Sequence, residues 1–272
     1  MRTIASLRDP EPRMTAAPEF SDGDLSRAFL HAKGGSHVIS KFGAFCELEP
    51  HEHEVIEATA LGTRKVAQRK FVYRRDQATS VPLVVLGGAL REFFIDIEGR
   101  VQTVAIRLPG DVVGMEALWS ERHAFDLDAL VPSRVAAAPF LASDDVATAQ
   151  LQAVARRVWL AEEAMLKDRI RLLGRAQADE RLLHLFLELR ARQSLLVQQI
   201  GERIWVPFSQ VEMANVTGLT NVYVSKTLSR LRERGTIAVD ADIITLRDPV
   251  GTAQDVDFHD RLAWVRRDKR LS

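Results

Sequence analysis

V-P-F-S-Q-V-E-M-A-N-V-T-G-L-T-N-V-Y-V-S-K-T-L-S-R-L-R-E-R-G-T-I, Val206 to Ile237, reads as two short helices joined by a tight turn. Ser209 stands where it can cap a first helix running to Val216, with Val211, Ala214 and Val216 facing inward. Gly218 occupies the turn, where a left-handed backbone suits glycine because it has no Cβ to clash. Thr220 then caps a second helix, Asn221 to about Arg234. Val224, Leu228 and Leu231 repeat at four and three residues and share one face of it. The opposite face carries Asn221, Tyr223, Ser225, Lys226, Ser229, Arg230 and Arg232, all hydrogen-bond donors or cations.

A helix with that face suits the DNA major groove, where N-terminal side chains reach base edges and cations and amides hold phosphates. Gly235 ends it, and Ile237, Val239, Ile243, Thr245 and Leu246, broken by Asp240-Ala241-Asp242, form a hairpin or wing. The alternative is a helical hairpin packed inside a domain. Against it, the apolar residues already have a face of their own.

The rest of the chain is built outward from this stretch. At 272 residues it is long enough for two cores, and with 46% hydrophobic and 27% charged residues it is globular. A net charge of zero argues against a non-specific polyelectrolyte binder, though not against a local basic face. Cys46 is the single cysteine, which excludes an internal disulfide or a multi-thiolate zinc site. No apolar run spans a bilayer, and the start of the chain lacks a signal-peptide core, so a cytoplasmic protein is expected.

Residues 1–35 are low in apolar periodicity and read as a flexible arm, with a short helix around Leu25 to His31. A helical patch from Phe42 to Ala60 follows, with Pro50 in a first turn. His51 and His53 diverge on such a helix, so a solvated helix start outweighs a metal site. Short alternating runs from Thr63 onward, with a break at Gly87-Gly88 and a turn at Glu98-Gly99-Arg100, suggest a β-barrel or jelly roll. In L-P-G-D-V-V-G-M-E-A-L, Leu108 to Leu118, Gly110 and Gly114 allow a passage whose amides could face an anion, or a simple loop corner. After a cap at Ser143 or Asp144, Ala147, Leu151, Val154, Val158, Ala161 and Met165 recur at alternating four and three, in a helix of about 45 Å ending near Leu173. Leu151, Val154, Val158, Ala161 and Met165 are therefore the expected seam of a parallel homodimer. Gly174 reads as the break and hinge, and Asp179 as the next cap, before a core of Leu182, Leu183, Leu185, Phe186 and Leu189. The tail carries Val256, Phe258, Leu262 and Val265, then Arg266, Arg267, Lys269 and Arg270. No nucleophile–base pair or metal-spaced cluster emerges; Ser209 and His184 have capping or packing places, so an enzyme is not expected.

With V-L-G-G-A-L and L-P-G-D-V-V-G-M-E-A-L, then L-L-G-R-A-Q-A-D-E-R-L-L-H-L-F-L-E-L, then T-G-L-T-N-V-Y-V-S-K-T-L-S-R-L in this order, the sequence resembles the Crp–Fnr family of bacterial transcription regulators from about Ser40 to Asp248. The resemblance implies an α+β chain: a β jelly-roll sensor domain (36–142), a dimerisation helix (143–174), a winged helix-turn-helix domain (175–250) and a tail (251–272). Its partners would be double-stranded DNA with a pseudo-palindromic site, a second copy of the chain, RNA polymerase and a small-molecule effector. The effector-pocket candidates are Gly110, Asp111, Val113, Gly114, Met115, Glu116, Arg122 and His123. Cyclic-AMP-binding members have glutamate directly after the second glycine and an arginine–hydroxyl pair beyond it. Here Met115 follows Gly114, Glu116 comes one later, and Arg122-His123-Ala124-Phe125 offers no such pair. An iron–sulfur cluster held by four cysteines cannot form with Cys46 alone, and no histidine is assignable as a haem ligand. The resemblance thus points away from cyclic AMP and iron–sulfur and leaves the cofactor unnamed. Asn221, Val222, Ser225 and Lys226 are the expected base contacts; Thr220, Tyr223, Arg230, Ser209 and Gln210 the expected phosphate contacts. Many relatives have glutamate in place of Val222, so the base it reads should differ here, since valine offers only apolar contact. The alternative function is a cyclic-nucleotide-binding signalling module whose C-terminal domain docks a protein.

Overall fold

A computed structural model describes residues 22–197 and 200–267; residues 1–21 of the expected arm, and Lys269 and Arg270 of the basic end, lie outside them. The chain opens with α1 (Asp22–His31), α2 (Ser36–Gly43) and α3 (Pro50–Leu61). The arm expected to reach Gly35 gives way at α1 to a packed helix. Leu25 and Phe29, four apart on one face, are fully buried, and Phe29 stacks on Trp205 with ring centroids 5.1 Å apart. Pro50 opens α3 beside a capping box between Glu49 and Glu52, while His51 and His53 are exposed.

The sensor half is a sandwich of two four-stranded antiparallel sheets. One contains β1 (Arg64–Val66), β3 (Leu83–Gly87), β6 (Val112–Val113) and β8 (Ser133–Ala137), in the order β1-β8-β3-β6. The other contains β2 (Phe71–Tyr73), β4 (Leu90–Ile95), β5 (Val101–Arg107) and β7 (Asp126–Ala129), in the order β2-β7-β4-β5. The Gly87-Gly88 break is the corner where the chain passes between sheets. Gly88 has φ +87°, and a Cβ there would lie 2.3 Å from Ser133 Oγ.

The long helix α4 (Ala149–Arg175) has 27 residues, about 40 Å at 1.5 Å each. Neither Ser143 nor Asp144 caps it; Asp145 caps a short 3-10 turn in front of it. Gly174 lies inside the last turn, and the break falls at Ala176 and Gln177, where the backbone becomes extended. Gln177 and Glu180 form the capping box of α5 (Ala178–Gln193), so Asp179 is freed from the capping role expected of it. The C-terminal half continues through β9 (Arg203–Trp205), α6 (Gln210–Thr217), α7 (Asn221–Glu233), β10 (Ile237–Asp240) and β11 (Ile243–Leu246). β9 joins the wing hairpin as a third strand, order β10-β11-β9. It went unseen because three residues are too short for a periodicity. The tail forms α8 (Pro249–Asp255) and α9 (Arg261–Arg267).

α4 presents three faces. Leu151, Val154, Ala155 and Val158 pack into the sensor core with Val38, Phe42, Phe140 and Leu141. Ala161 is buried with Leu262 and Val265 of α9, and Met165 packs against that group. The expected dimer seam, Leu151, Val154, Val158, Ala161 and Met165, is therefore covered by the chain's own residues: a core-facing helix repeats at four and three just as a coiled coil does. The apolar residues left open are Trp159 (49% exposed), Leu166 (45%), Ile170 (63%) and Leu173 (42%). At 100° per residue this stripe lies about 100° round from the sensor-facing side and roughly opposite the tail.

The tail is a strap across the α4–α5 break. On the α4 side, Arg261 makes two hydrogen bonds to Asp168 (2.5 and 2.7 Å), and Arg171 reaches Asp257 at 3.0 Å. On the α5 side, His184 Nε2 lies 3.0 Å from the Val256 carbonyl, and its ring meets Phe258 edge-on. Leu262→Ala should lower stability by about 2–5 kcal/mol in urea denaturation, as for other fully buried leucines. A change within about 0.5 kcal/mol, the range of surface substitutions, would show that the strap lies outside the cooperative fold.

Candidate nucleic-acid interface

α6 and α7 are set by their caps and their turn. Ser209 Oγ accepts from Glu212 N–H and Thr220 Oγ1 from Tyr223 N–H, both in extended backbone typical of N-caps. Gly218 between them is left-handed at φ +66°, and a Cβ there would come 2.6 Å from Leu173 Cδ2 at the end of α4. The inward face of α6 differs from the expected one: Met213, Ala214, Val216 and Thr217 are buried, whereas Val211 is half exposed.

On α7, Val224, Thr227, Leu228 and Leu231 are buried. Asn221, Val222, Tyr223, Ser225 and Lys226 are all exposed, with Val222 and Tyr223 more than 60% open. One donor is less free than expected, and one residue caps as expected. Arg230 is paired with Asp179 of α5 through both its Nε, at 3.0 Å, and its Nη2. Thr220 spends its acceptor on the cap. Gln210 is exposed beside Ser209 at the start of α6.

The C-terminal half is docked on the sensor sheets. Arg91 of β4 donates to both oxygens of Glu212 (2.7 and 2.6 Å) and, through Nε and Nη2, to Asp128 (2.9 and 3.0 Å). Gln102 of β5 donates to the Asn215 carbonyl at 2.6 Å.

The glycine loop was open to two readings, an anion-facing passage or a loop corner, and the structure divides its residues. Asp111 is 1% exposed and turned into an ion cluster, which removes it from the pocket candidates. Its carboxylate accepts from Lys41 of α2, from Arg192 of α5 and from the Leu108 N–H at 2.7 Å. Arg192 also donates to the Ile106 carbonyl and to Glu188, and Glu188 is held by Arg169 of α4 at 3.0 Å. Burial pushes the Asp111 carboxyl up, and Arg192, Lys41 and Arg107 outweigh it, leaving it at about 2. Burial likewise raises Glu188, and Arg169 and Arg192 bring it below the ordinary carboxylate range. Composition hides this cluster; its one sequence signal is the four-residue spacing of Glu188 and Arg192 on a helix.

Gly110, at φ +82°, lets the loop press on α2, where a Cβ would sit 2.8 Å from the His37 carbonyl. Val113 and Met115 are core residues. Gly114, Glu116 and His123 do come together: His123 Nδ1 lies 2.7 Å from Glu116 Oε1, and its ring stacks on Tyr73 at 3.6 Å beside Gly114. Arg122 is exposed and donates to the Asp76 carbonyl instead. A separate cavity of about 300 Å³ opens between β5, α4 and α5, lined by Val104, Arg107, Phe125, Trp159, Glu162 and Leu166 among others. Arg107 Nε and Glu162 Oε1 on its wall are buried without a hydrogen-bond partner.

The family model for the Crp-like helix-turn-helix domain matches residues 180–251. The chain is 32% identical over 218 residues to the nitrogen fixation regulation protein FixK of Bradyrhizobium diazoefficiens, covering 79% of this chain and 87% of that one. It is 25% identical over 190 residues to the transcriptional activator protein FnrA of Stutzerimonas stutzeri, covering 69% and 78%. Among solved structures it is similar to FixK2 from Bradyrhizobium japonicum, with a TM-score of 0.60 and 27% identity over 71% of this chain and 95% of that one.

Arg192→Met should cost about 3–5 kcal/mol, because it leaves Asp111 buried with too little positive charge. The Asp111 carboxyl is lower folded than unfolded, so its contribution is complete above about pH 4 and lost as pH falls through about 2. In Arg192→Met the folded carboxyl rises, so the fall in the urea midpoint between about pH 4 and pH 2 should shrink or reverse. An unchanged fall over that range would show that Arg192 does not hold the carboxylate.

Proposed function

The chain belongs to the Crp–Fnr family of DNA-binding transcription regulators, and on that premise we propose that it acts as a homodimer reading a pseudo-palindromic site through α7. The observation that carries the reading is the open N-terminal face of α7, with Asn221, Val222, Ser225 and Lys226 exposed above a buried Val224–Leu228–Leu231 face. These four side chains are the base readers, with Tyr223, Gln210 and the capped starts of α6 and α7 at phosphates. Arg230, neutralised by Asp179, serves first to fix α7 on α5.

Trp159, Leu166, Ile170 and Leu173, spaced by seven, four and three, are the seam for the second copy. Trp159 and Leu166 also line the cavity beside β5, so a dimer partner would roof it. That cavity is the room for a small-molecule effector, with Val104, Phe125, Trp159 and Leu166 as apolar walls and the charged side chains of Arg107, Glu162 and Arg169 in its lining. The Glu116–His123–Tyr73 stack fills the space beside Gly114, which supports an effector other than cyclic AMP. RNA polymerase is the protein partner in this reading. Ile97, fully exposed at the β4–β5 tip beside Phe94 and Ile95, offers it an apolar contact.

Lys226→Ala should weaken binding to the specific site by about 1–3 kcal/mol and to random duplex by less, measured by fluorescence anisotropy at one fixed salt concentration. Equal losses on both duplexes would make Lys226 a phosphate contact. The double variant Leu166→Glu, Ile170→Glu should sediment as a folded monomer with little specific affinity; a dimer of normal affinity would rule out this seam.

A further inference from the structure

The helix α1 has ten residues, D-G-D-L-S-R-A-F-L-H. A helix that short is marginal alone in water, so what it touches keeps it ordered. It touches both halves of the chain. Its C-terminal carbonyls go to the sensor half: Gly88 N–H donates to the Phe29 carbonyl at 3.0 Å, and His37 Nε2 to the Ala28 carbonyl at 2.8 Å. Arg134 Nη2 donates to the Ala32 carbonyl, just past the helix, at 2.5 Å. Such carbonyls are the ones a helix end leaves without an internal partner. Its side chains go to the winged half. Phe29 lies nearly flat on Trp205 of β9, with the ring planes 10° apart. Ser26 Oγ donates to Asp242 Oδ2 in the wing turn at 2.9 Å, and the same oxygen accepts from the Trp205 indole N–H at 2.8 Å. Leu25 and Phe29 thus share one apolar cluster with Ala89 and Leu130 of the sensor half and with Trp205, Val206 and Ile244 of the winged half.

Filling a core accounts for Leu25 and Phe29. It does not account for a hydroxyl spent on a carboxylate 216 residues away, or for three sensor donors gathered at one helix end. Position supplies the second reason. The Arg91–Glu212 and Gln102–Asn215 bonds hold α6, and the Arg192–Asp111 pair holds α5. Beside the wing turn the two halves stand apart, with Gln68, Arg69 and Val131 facing Ala241 and Asp242 across a cleft of about 470 Å³. α1 supplies the link that those bonds leave out. In this arrangement Asn221, Val222, Ser225 and Lys226 stay exposed, so α7 is held in place without being hidden.

We propose that α1 is a clip that fixes the direction of α7 relative to the sensor half, and with it the half-site spacing that a dimer accepts. The inference rests on α7 reading the core site in a dimer. Ser26 and Phe29 touch no base and act as positioning residues. When the clip opens, the winged half can swing about its α6 bonds, and only the fraction of copies in position binds the matched site. A dimer needs both winged halves in position at once. Opening the clip therefore costs affinity at the matched spacing and little at a spacing that the clipped form rejects.

The test uses the full chain and two duplexes with the same half-sites. One has the selected spacing, and the other has two added base pairs, which turn one half-site by about 70°. Ser26→Asp sets a carboxylate against Asp242 and opens the clip. Adding Asp242→Asn lets the new amide donate to the new carboxylate while its oxygen accepts from the Trp205 indole. The wild type should prefer the selected spacing. Ser26→Asp should bind that duplex about tenfold more weakly, as when the fraction in position falls from nearly all to about one in ten, and should lose little on the other. The double variant should recover both affinity and preference. Ser26→Ala removes the bond and repels nothing, so it should shift the same way by a smaller factor; it carries the comparison if circular dichroism shows Ser26→Asp unfolded. Equal losses at both spacings, or no recovery in the double variant, would show that α1 only stabilises the fold. Wild-type affinity and preference in both Ser26 variants would show that the clip does not set the direction of α7. Either result overturns the proposal. A wild type indifferent to spacing would overturn it together with the reading of α7.

Discussion

The structure depends on a carboxylate with no access to water. Asp111 sits at 1% exposure, and a charge there is tolerable only if cations and amides surround it. Lys41 comes from α2, Arg192 from α5, and the Leu108 amide from its own loop. Arg192 passes the constraint to Glu188, and Glu188 to Arg169 on α4. A single network therefore ties the sensor sheets, the long helix and the DNA-binding half. None of the three can rotate far without leaving a buried charge unpaired. This is a physical route by which a change in the cavity beside β5, where Arg107 and Glu162 belong to neighbouring ion pairs, would be felt at α5 and hence at α7.

The same logic explains why α4 does three jobs at once. Its sensor-facing side is core, the tail covers a second side, and a third is left for a partner. The tail crosses the Ala176–Gln177 break on the side of α4 that holds Ala161 and Asp168, roughly opposite Trp159, Leu166 and Ile170. Arg181 reinforces the break from within by donating to the carbonyls of Leu173 and Ala176 at 3.0 Å each. The break is a pinned joint rather than a free hinge. A reorientation of α5 and α7 relative to α4 must break the tail's hold on one side, either the Arg261–Asp168 and Arg171–Asp257 pairs on α4 or the His184–Val256 contact on α5.

Much of this was legible in the sequence, for local reasons. Ser209, Gly218 and Thr220 mark the helix ends by side-chain and backbone chemistry that needs no tertiary context, and the structure uses all three as read. The break at Gly87-Gly88 and the wing hairpin were visible for the same reason, although that the break passes the chain from one sheet to the other was not. Errors arose where one pattern serves two environments. The four-and-three repeat from Leu151 to Met165 says that a helix has an apolar face, not whether the chain itself or a twin covers it. Gly174 suggested a break, but helix ends depend on capping, and the Gln177–Glu180 box, starting three residues on, decided the matter. Asp111 looked like a ligand contact because its loop was familiar. Its true partners, Lys41 and Arg192, lie 70 and 81 residues away, and no local reading connects them. Asp179 likewise looked like a cap, while its actual role, holding Arg230 and Arg234, depends on how α5 meets α7.

The central claim is that two copies of α7, joined through the open stripe of α4, read one symmetric duplex. Sequencing the duplexes that the protein retains from a random pool tests this most directly. The account predicts two inverted half-sites whose centres lie about one helical turn apart, roughly 10–10.5 bp or a multiple of it. An enriched sequence without twofold symmetry, or none at all above random duplex, would contradict it.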